Sequence, residues 1–360
     1  MSILPTFYDF QDVLMIPQAT SLASRKDVQL EMTYFFPHCG QSWTGIPLAA
    51  SNMDTVGTLS VYQVLKKYKM LTFLHKFHTV HDFQTFEQNT NEKIDWNYAV
   101  LTTGIRPIDQ DRTREILHVY PHIRWICLDV PNGYIEPFVD LCKKYREQYP
   151  DKILVAGNVV TSELVQKLGK DIRIDVIKIG IGSGSACLTR RQTGCGIPQF
   201  SAIMDCCNEN MTMSKKYGKV AQSYYVMSDG GITCSGDVVK AFGAGADFVM
   251  IGGQFAGHEE NPGDIVETIV NGKTFQEKVF YGMSSEHAMK QHYGKMDNYR
   301  SSEGRVVRIP YRGPLDITVQ HYLGGIRSGM VYNNAFTFLD LAKNAKFGHV
   351  YHQLNTMYAK

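Results

Sequence analysis

The chain has 360 residues, 44% of them hydrophobic and 20% charged, with a formal net charge of +2. This is the balance of a globular protein of one large or two smaller domains, without the concentrated basic excess of a nucleic-acid binder. No apolar run approaches the roughly 18 residues a membrane helix needs. The eight cysteines form no Cys-x-x-Cys pair, and the opening MSILPTFYDFQD has no basic-then-apolar leader pattern, so a reducing, cytoplasmic setting is expected.

In chain order, short apolar and β-branched runs recur: IPLAAS (46–51), MLTFLH (70–75), YAVLTTG (98–104), RWICLDV (124–130), KILVAGN (152–158), VIKIGI (176–181), YYVMSDGG (224–231) and FVMIGG (248–253). Unbroken apolarity over so few residues predicts strands buried on both faces. Helix-compatible stretches lie between them: VYQVLKKY (61–68), DRTREILHVY (111–120), EPFVDLCKKYREQY (136–149), SELVQKLG (162–169) and DVVKAFGAG (237–245). A repeat of roughly 25 residues fits strand, turn, helix and turn. Eight such units predict a closed (β/α)8 barrel, with an open parallel sheet as the competing arrangement. The interval after the sixth strand is about twice the others. Barrel sites sit at the carboxyl ends of the strands, so that insertion is expected to be a functional loop. After the eighth strand come YGMSSEHAMKQHYG (281–294), the aperiodic YRSSEGRVVRIPYRG (299–313), which reads as a mobile flap, and a helical region from about Asp316. No low-complexity linker marks a second domain, and 1–360 is read as one catalytic domain.

The sharpest local signal is VIKIGIGSGSACLTRRQTGCGIPQ (176–199), a strand running into a glycine-rich turn with a cysteine and a threonine. Gly180, Gly182 and Gly184 are expected to permit positive φ and close approach of the backbone to an ion. Cys187 on such a loop is a candidate nucleophile, with Arg190 and Arg191 as electrostatic helpers; a buried structural thiol is the competing reading. Two further glycine clusters, SDGG (228–231) and IGG (251–253), end the last two strands, where barrels commonly bind phosphate. Asp229 suits a ribose hydroxyl pair better than a phosphate. In HKFHTVH (75–81) the histidines recur every three residues, but no HExxH-type carboxylate accompanies them. Lys76 is the better candidate there, a cation at the end of the second strand; a solvated surface lysine competes.

Over nearly its whole length the sequence resembles the IMP dehydrogenase/GMP reductase family. The resemblance is carried by FQDVLMIP, SLASRKDVQLE, HCGQSWTGIPLAASNMDTVGT, LDVPNGY, AGNVVT, GIGSGSACLTRRQTGCGIPQ, SDGGIT, GADFVMIGG and LGGIRS. YGMSSEHAM and YRSSEG are similar to the reductase branch. His75 and Tyr98 leave no room for the CBS insertion usual in the dehydrogenases, and Glu303 stands where those enzymes carry an arginine-based flap. IMP oxidation with NAD and water is the competing direction.

The resemblance implies a TIM barrel that uses NADPH and a Cys187 thioimidate to convert GMP to IMP and ammonia in purine salvage. Thr189 and Glu303 are implied as the proton relay, with a flap salt bridge to Arg300 or Arg305 as the alternative for Glu303. GMP contacts are implied for Ser185, Asp229, Gly231, Gly252, Gly253, Gly282, Met283, Ser284, Arg300, Ser302 and Gly304. Cofactor contacts are implied for Lys76, Asp129, Val130, Pro131, Asn132, Ile181 and Gly182, and for Ser24 and Arg25 of a neighbouring subunit. A monovalent cation, potassium, is implied on carbonyls of Gly182, Gly184, Cys187 and Arg190, in a homotetramer. Ala186, Pro131 and Cys195 depart from the family's common residues, the segment 208–225 is longer than usual, and the tail 347–360 is unlike the family's.

Overall fold

The structure, a computed structural model, describes residues 4–207, 223–294 and 301–353. Eight parallel strands close into a barrel: β1 (Leu48–Ala50), β2 (Leu71–Leu74), β3 (Ala99–Thr103), β4 (Trp125–Asp129), β5 (Ile153–Val159), β6 (Val176–Ile179), β7 (Tyr225–Asp229) and β8 (Phe248–Ile251). Closure is made by β8 pairing with β1, Val249 opposite Leu48. All eight predicted strands are present, because residues buried on both faces leave the same unbroken apolar run in each.

The inward-facing side chains, among them Phe73, Trp125, Cys127, Val155, Val176, Met227 and Phe248, form one cluster inside the barrel. A hairpin of Met32–Phe36 and Gln41–Gly45 plugs the end where the strands begin. Its Tyr34, Phe36 and Trp43 rings pack on Trp125, Tyr225 and Phe248, the first residues of β4, β7 and β8. The opposite end stays open; there β4 and β7 end in Asp129 and Asp229, and Gly180 and Gly252 follow β6 and β8.

Helices Leu59–Leu65, Val80–Thr90, Pro107–Val119, Glu136–Gln148, Ser162–Gln166, Ser235–Gly243 and Leu315–Tyr332 supply the outer layer. The helix over Val80–Thr90 explains the histidine row. Its cap is Thr79, closed by a reciprocal box with Asp82, so His75 and His78 precede the helix rather than share its face. Their rings instead stack at 3.8 Å.

Beyond β8 the chain builds a three-stranded antiparallel sheet, β9 (Val266–Val270), β10 (Lys273–Tyr281) and β11 (Val306–Pro310), with helix Glu286–Tyr293 after β10. The stretch read as an aperiodic flap therefore contains a strand. Its exposure alternates along β11, which is a two-residue period on an edge strand rather than an absence of pattern. Among the described residues no helix is long and apolar enough to cross a membrane.

Candidate active site

Strand β6 delivers the thiol loop to the open end. At Gly180 φ is +149°, and a Cβ would lie 2.1 Å from the Asp229 carbonyl oxygen; at Gly182 φ is +74° and a Cβ would strike the Arg190 side chain. Glycine is required at both. Gly184 departs from expectation: its φ is not in the left-handed region, and a Cβ there meets only Cys187 Cβ at 3.7 Å, an ordinary contact.

Cys187 is half-buried, unlike Cys127, Cys142, Cys206 and Cys207, which are sealed in the core. The loop is clamped to the segment before β11. Leu188 N–H donates to Glu303 O at 2.6 Å, Arg305 N–H donates to Ala186 O at 3.0 Å, and Cys187 bridges Gly304. This register brings the chemistry together. Cys187 Sγ lies 3.1 Å from Thr189 Oγ1, and that hydroxyl donates to Glu303 Oε2 at 2.7 Å. With the Thr189 proton on Glu303, the Thr189 oxygen is free to accept from the thiol, a continuous path from sulfur to carboxylate.

The clamp needs small residues. A Cβ on Gly282 would lie 2.9 Å from Ala186 O, and one on Gly304 would lie 2.7 Å from Ser285 N. Arg305 does not pair with Glu303, because its Nε and Nη2 donate to Ser185 O at 3.0 and 2.6 Å. Arg300 lies outside the described residues, as do residues 208–222 of the long segment and 354–360 of the tail. The Arg190 guanidinium pairs with Asp9 at 2.9 Å and donates to Ile197 O. Arg191 is exposed.

Beside the thiol loop lie the ends of β7 and β8. Gly230 and Gly231 have φ of +91° and +80°. The N–H groups of Gly231, Gly252, Gly253 and Gln254 donate to nothing among the described residues. A Cβ on Gly253 would sit 2.4 Å from Ser185 Oγ, so the serine hydroxyl and the free amides border one space. Free backbone donors beside a hydroxyl suit an anion.

The comparisons with known proteins agree with this geometry. The sequence model described as "IMP dehydrogenase / GMP reductase domain" matches residues 7–354. The chain belongs to the IMP dehydrogenase/GMP reductase family. It is similar to a GMP reductase of Caenorhabditis elegans, 45% identical over 97% of this chain and 94% of that one. It is also similar to GMP reductases of Escherichia coli O1:K1 / APEC and of strain K12 / DH10B, each 44% identical over 97% of this chain and 96% of theirs.

The remaining positions implied by membership of the family fall into three places. Asp129, Val130, Pro131 and Asn132 leave β4 at the open end, where Ile181 and Gly182 also leave β6, on the far side of β5. Val130 is buried and its N–H donates to Gly157 O; Pro131 and Asn132 are exposed. Lys76 lies at the same rim with Nζ 3.2 Å from Asp109. Burial opposes its charge, and the Asp109 carboxylate outweighs that, raising its pKa. On the flap side, Met283 Sδ accepts from Asp54 N–H at 3.4 Å, Ser302 Oγ donates to Gly304 O at 2.7 Å, and Ser284 is exposed. Ser24 and Arg25 are brought to none of these. Ser24 caps the short turn Arg25–Asp27, which packs on helix Leu315–Tyr332.

Lys178 was not anticipated. It points into the barrel at 1% exposure, with Nζ 2.6 Å from Asp129 Oδ1 and 3.1 Å from Asp229 Oδ2. Burial works against its charge, but the two carboxylates prevail and hold it protonated well above the ordinary lysine range. Asn158 completes the set, its Nδ2 donating to Asp229 Oδ2 and to Gly180 O, both at 2.8 Å. The signal was a lysine inside the otherwise apolar run VIKIGI, since a buried ammonium demands partners.

Proposed function

We propose that this chain catalyses the NADPH-dependent reductive deamination of GMP to IMP and ammonia through a covalent bond between Cys187 and purine C2. The line from Cys187 Sγ through Thr189 Oγ1 to Glu303 Oε2 carries the reading. It is supported by relatives named GMP reductase at 44–45% identity.

In this reading the phosphate of GMP takes the free amides of Gly231, Gly252 and Gly253 with Ser185, and the ribose takes Asp229. The base lies against Gly282, Met283, Ser284, Ser302 and Gly304. Thr189 passes the thiol proton to Glu303, and the Cys187 thiolate adds to C2. The C2–N bond breaks as that proton returns along the same line to the amine, which leaves as ammonia. The resulting thioimidate accepts a hydride at C2, the C2–S bond breaks, and IMP leaves the thiolate, which takes a proton from solvent. Positioned proton transfer of this kind is worth about 10²–10⁴ in rate.

The rim residues suit a nicotinamide nucleotide. Asp129 offers a carboxylate that Lys178 keeps ionised against burial, beside exposed Pro131 and Asn132, while Lys76 gives a cation for the cofactor's phosphates. NADPH supplies the hydride when bound. A monovalent cation such as potassium fits the thiol loop. Among the described residues the carbonyls of Gly182 and Cys187 accept no hydrogen bond, and those of Gly184 and Arg190 each accept one and retain a second lone pair. Such a cation orders the loop and takes no part in bond making. The distance of Ser24 and Arg25 from the other residues supports their serving a neighbouring subunit's cofactor in a homotetramer. We read the chain as a single catalytic domain working in the cytoplasm.

The test is purified protein with GMP and each reduced nicotinamide, following dinucleotide oxidation and ammonia together. Equimolar ammonia and oxidised NADPH are expected, and Cys187→Ala is expected to bind GMP without turnover. Full turnover by Cys187→Ala would remove the covalent route, and oxidation of IMP by NAD with GMP inert would reverse the direction.

A further inference from the structure

The loop after β8 has an unusual backing. Arg312 Nη1 points at three carbonyls of that loop, Gly253 O at 3.0 Å, Gln254 O at 3.1 Å and Ala256 O at 3.3 Å. The backbone N–H of Arg312 donates to Gly257 O at 2.8 Å. A fourth carbonyl, Gly252 O, accepts from Phe255 N–H at 2.8 Å. Every carbonyl from 252 to 254 therefore has a hydrogen-bond partner, while the N–H groups of the same three residues donate to nothing among the described residues.

A peptide plane carries its N–H and C=O on opposite sides. The Gly253 carbonyl shares its plane with the Gln254 N–H, and the Gly252 carbonyl with the Gly253 N–H, so Arg312 on Gly253 O and Phe255 N–H on Gly252 O set the directions of those two amides, beside Ser185 Oγ. Arg312 is half-buried and has no carboxylate within ion-pair distance among the described residues. Its guanidinium partners among the described residues are all carbonyl oxygens, so one positive charge stands uncompensated behind a row of free donors.

We propose that Arg312 is a positioning residue for the phosphate of the nucleotide: it fixes the peptide that carries the Gln254 amide, braces the 252–254 turn, and places a cation behind it. The proposal rests on the reading of this loop as the phosphate site of GMP. The charge acts through the loop rather than by contact, and this predicts a loss confined to ligands that carry phosphate. A neutral replacement weakens charge-assisted binding of a dianion, while a nucleoside has nothing at that end to lose.

The experiment compares wild type, Arg312→Gln and Arg312→Lys for GMP kinetics, and for binding of GMP and of guanosine by calorimetry. For Arg312→Gln we expect KM and Kd for GMP to rise about tenfold or more. Its kcat should stay within about threefold and its guanosine affinity should not change. Arg312→Lys, which keeps the charge but not the three-carbonyl grip, should recover part of the GMP affinity. Equal losses for GMP and guanosine, or no loss for either, would overturn the proposal. If Arg312→Gln does not fold, the decision falls to Arg312→Lys, where an unchanged GMP-to-guanosine affinity ratio would overturn it. Wild-type protein that binds guanosine as tightly as GMP would instead sink the underlying reading of the loop.

Discussion

Lys178 Nζ lies 2.6 Å from Asp129 Oδ1 on one side and 3.1 Å from Asp229 Oδ2 on the other, so a single buried ammonium ties the end of β4 to the end of β7. Replacing it by methionine keeps the bulk and leaves two carboxylates facing each other. Breaking such an ion group by removing one member costs about 3 kcal/mol or more. Lys178→Met is therefore expected to lower the unfolding free energy by about that amount, and to raise the cofactor and GMP KM together. Urea unfolding and steady-state kinetics check it. A variant as stable as wild type, with both KM values unchanged, would show that the triad neither holds the strand ends nor serves the site.

Thr189 and Glu303 share one proton path and are expected to fail as a unit. Thr189→Val and Glu303→Gln should each lower kcat by about 10²–10⁴, while GMP affinity measured by calorimetry stays near wild type. The double variant should be scarcely slower than either single one, because groups acting through one relay are not additive. Multiplicative losses in the double variant would mean the two residues act separately.

The relay also marks how far the sequence could be read. Eight strands were legible because burial on both faces writes itself as an unbroken apolar run. The pairing of Thr189 with Glu303, 114 residues apart, leaves no such mark; only the resemblance of YRSSEG to a family motif suggested it. Local signals were also passed over. Asn271-Gly272, with φ of 51° and 74°, is the two-residue turn that closes a hairpin, and it joins β9 to β10 in a stretch for which no element was predicted. Gly184 shows the converse error, a glycine whose freedom the fold does not use. Arg312 was invisible for a different reason, since its partners are backbone carbonyls and carry no residue type to match.

The flap helix is expected to depend on one histidine. His292 Nε2 meets Asp54 Oδ2 at 2.5 Å and its ring stacks on Phe77 at 3.6 Å, while Tyr281 O–H donates to the same carboxylate at 2.8 Å. Asp54 N–H in turn holds Met283 Sδ. His292→Ala removes the stack and one of the carboxylate's partners, worth about 1–3 kcal/mol locally. Amide exchange across residues 286–293 should speed by about tenfold or more, and KM for GMP should rise several-fold through Met283. Unchanged exchange in that helix would show that it is held by other contacts.

Acid sensitivity is expected from His258, which is fully buried with Nε2 2.7 Å from Thr318 Oγ1. Burial, reinforced by the nearby Arg312 charge, pushes its pKa down to about 4 from the ordinary 6.5. Above pH 6.5 the ring is neutral in both folded and unfolded chains and contributes no pH dependence. Between about 6.5 and 4 the unfolded chain takes up a proton that the folded chain refuses, so stability falls as pH falls. At pH 5 the loss from this residue is of order 1–2 kcal/mol, and below about 4 it levels off. Half-buried His75 and buried His78, shifted down to about 2 and about 4 chiefly by desolvation, add in the same direction. Urea unfolding of wild type and His258→Gln between pH 7.5 and 5 checks this: the two curves should converge as pH falls, and parallel curves would show that His258 is not held neutral in the fold.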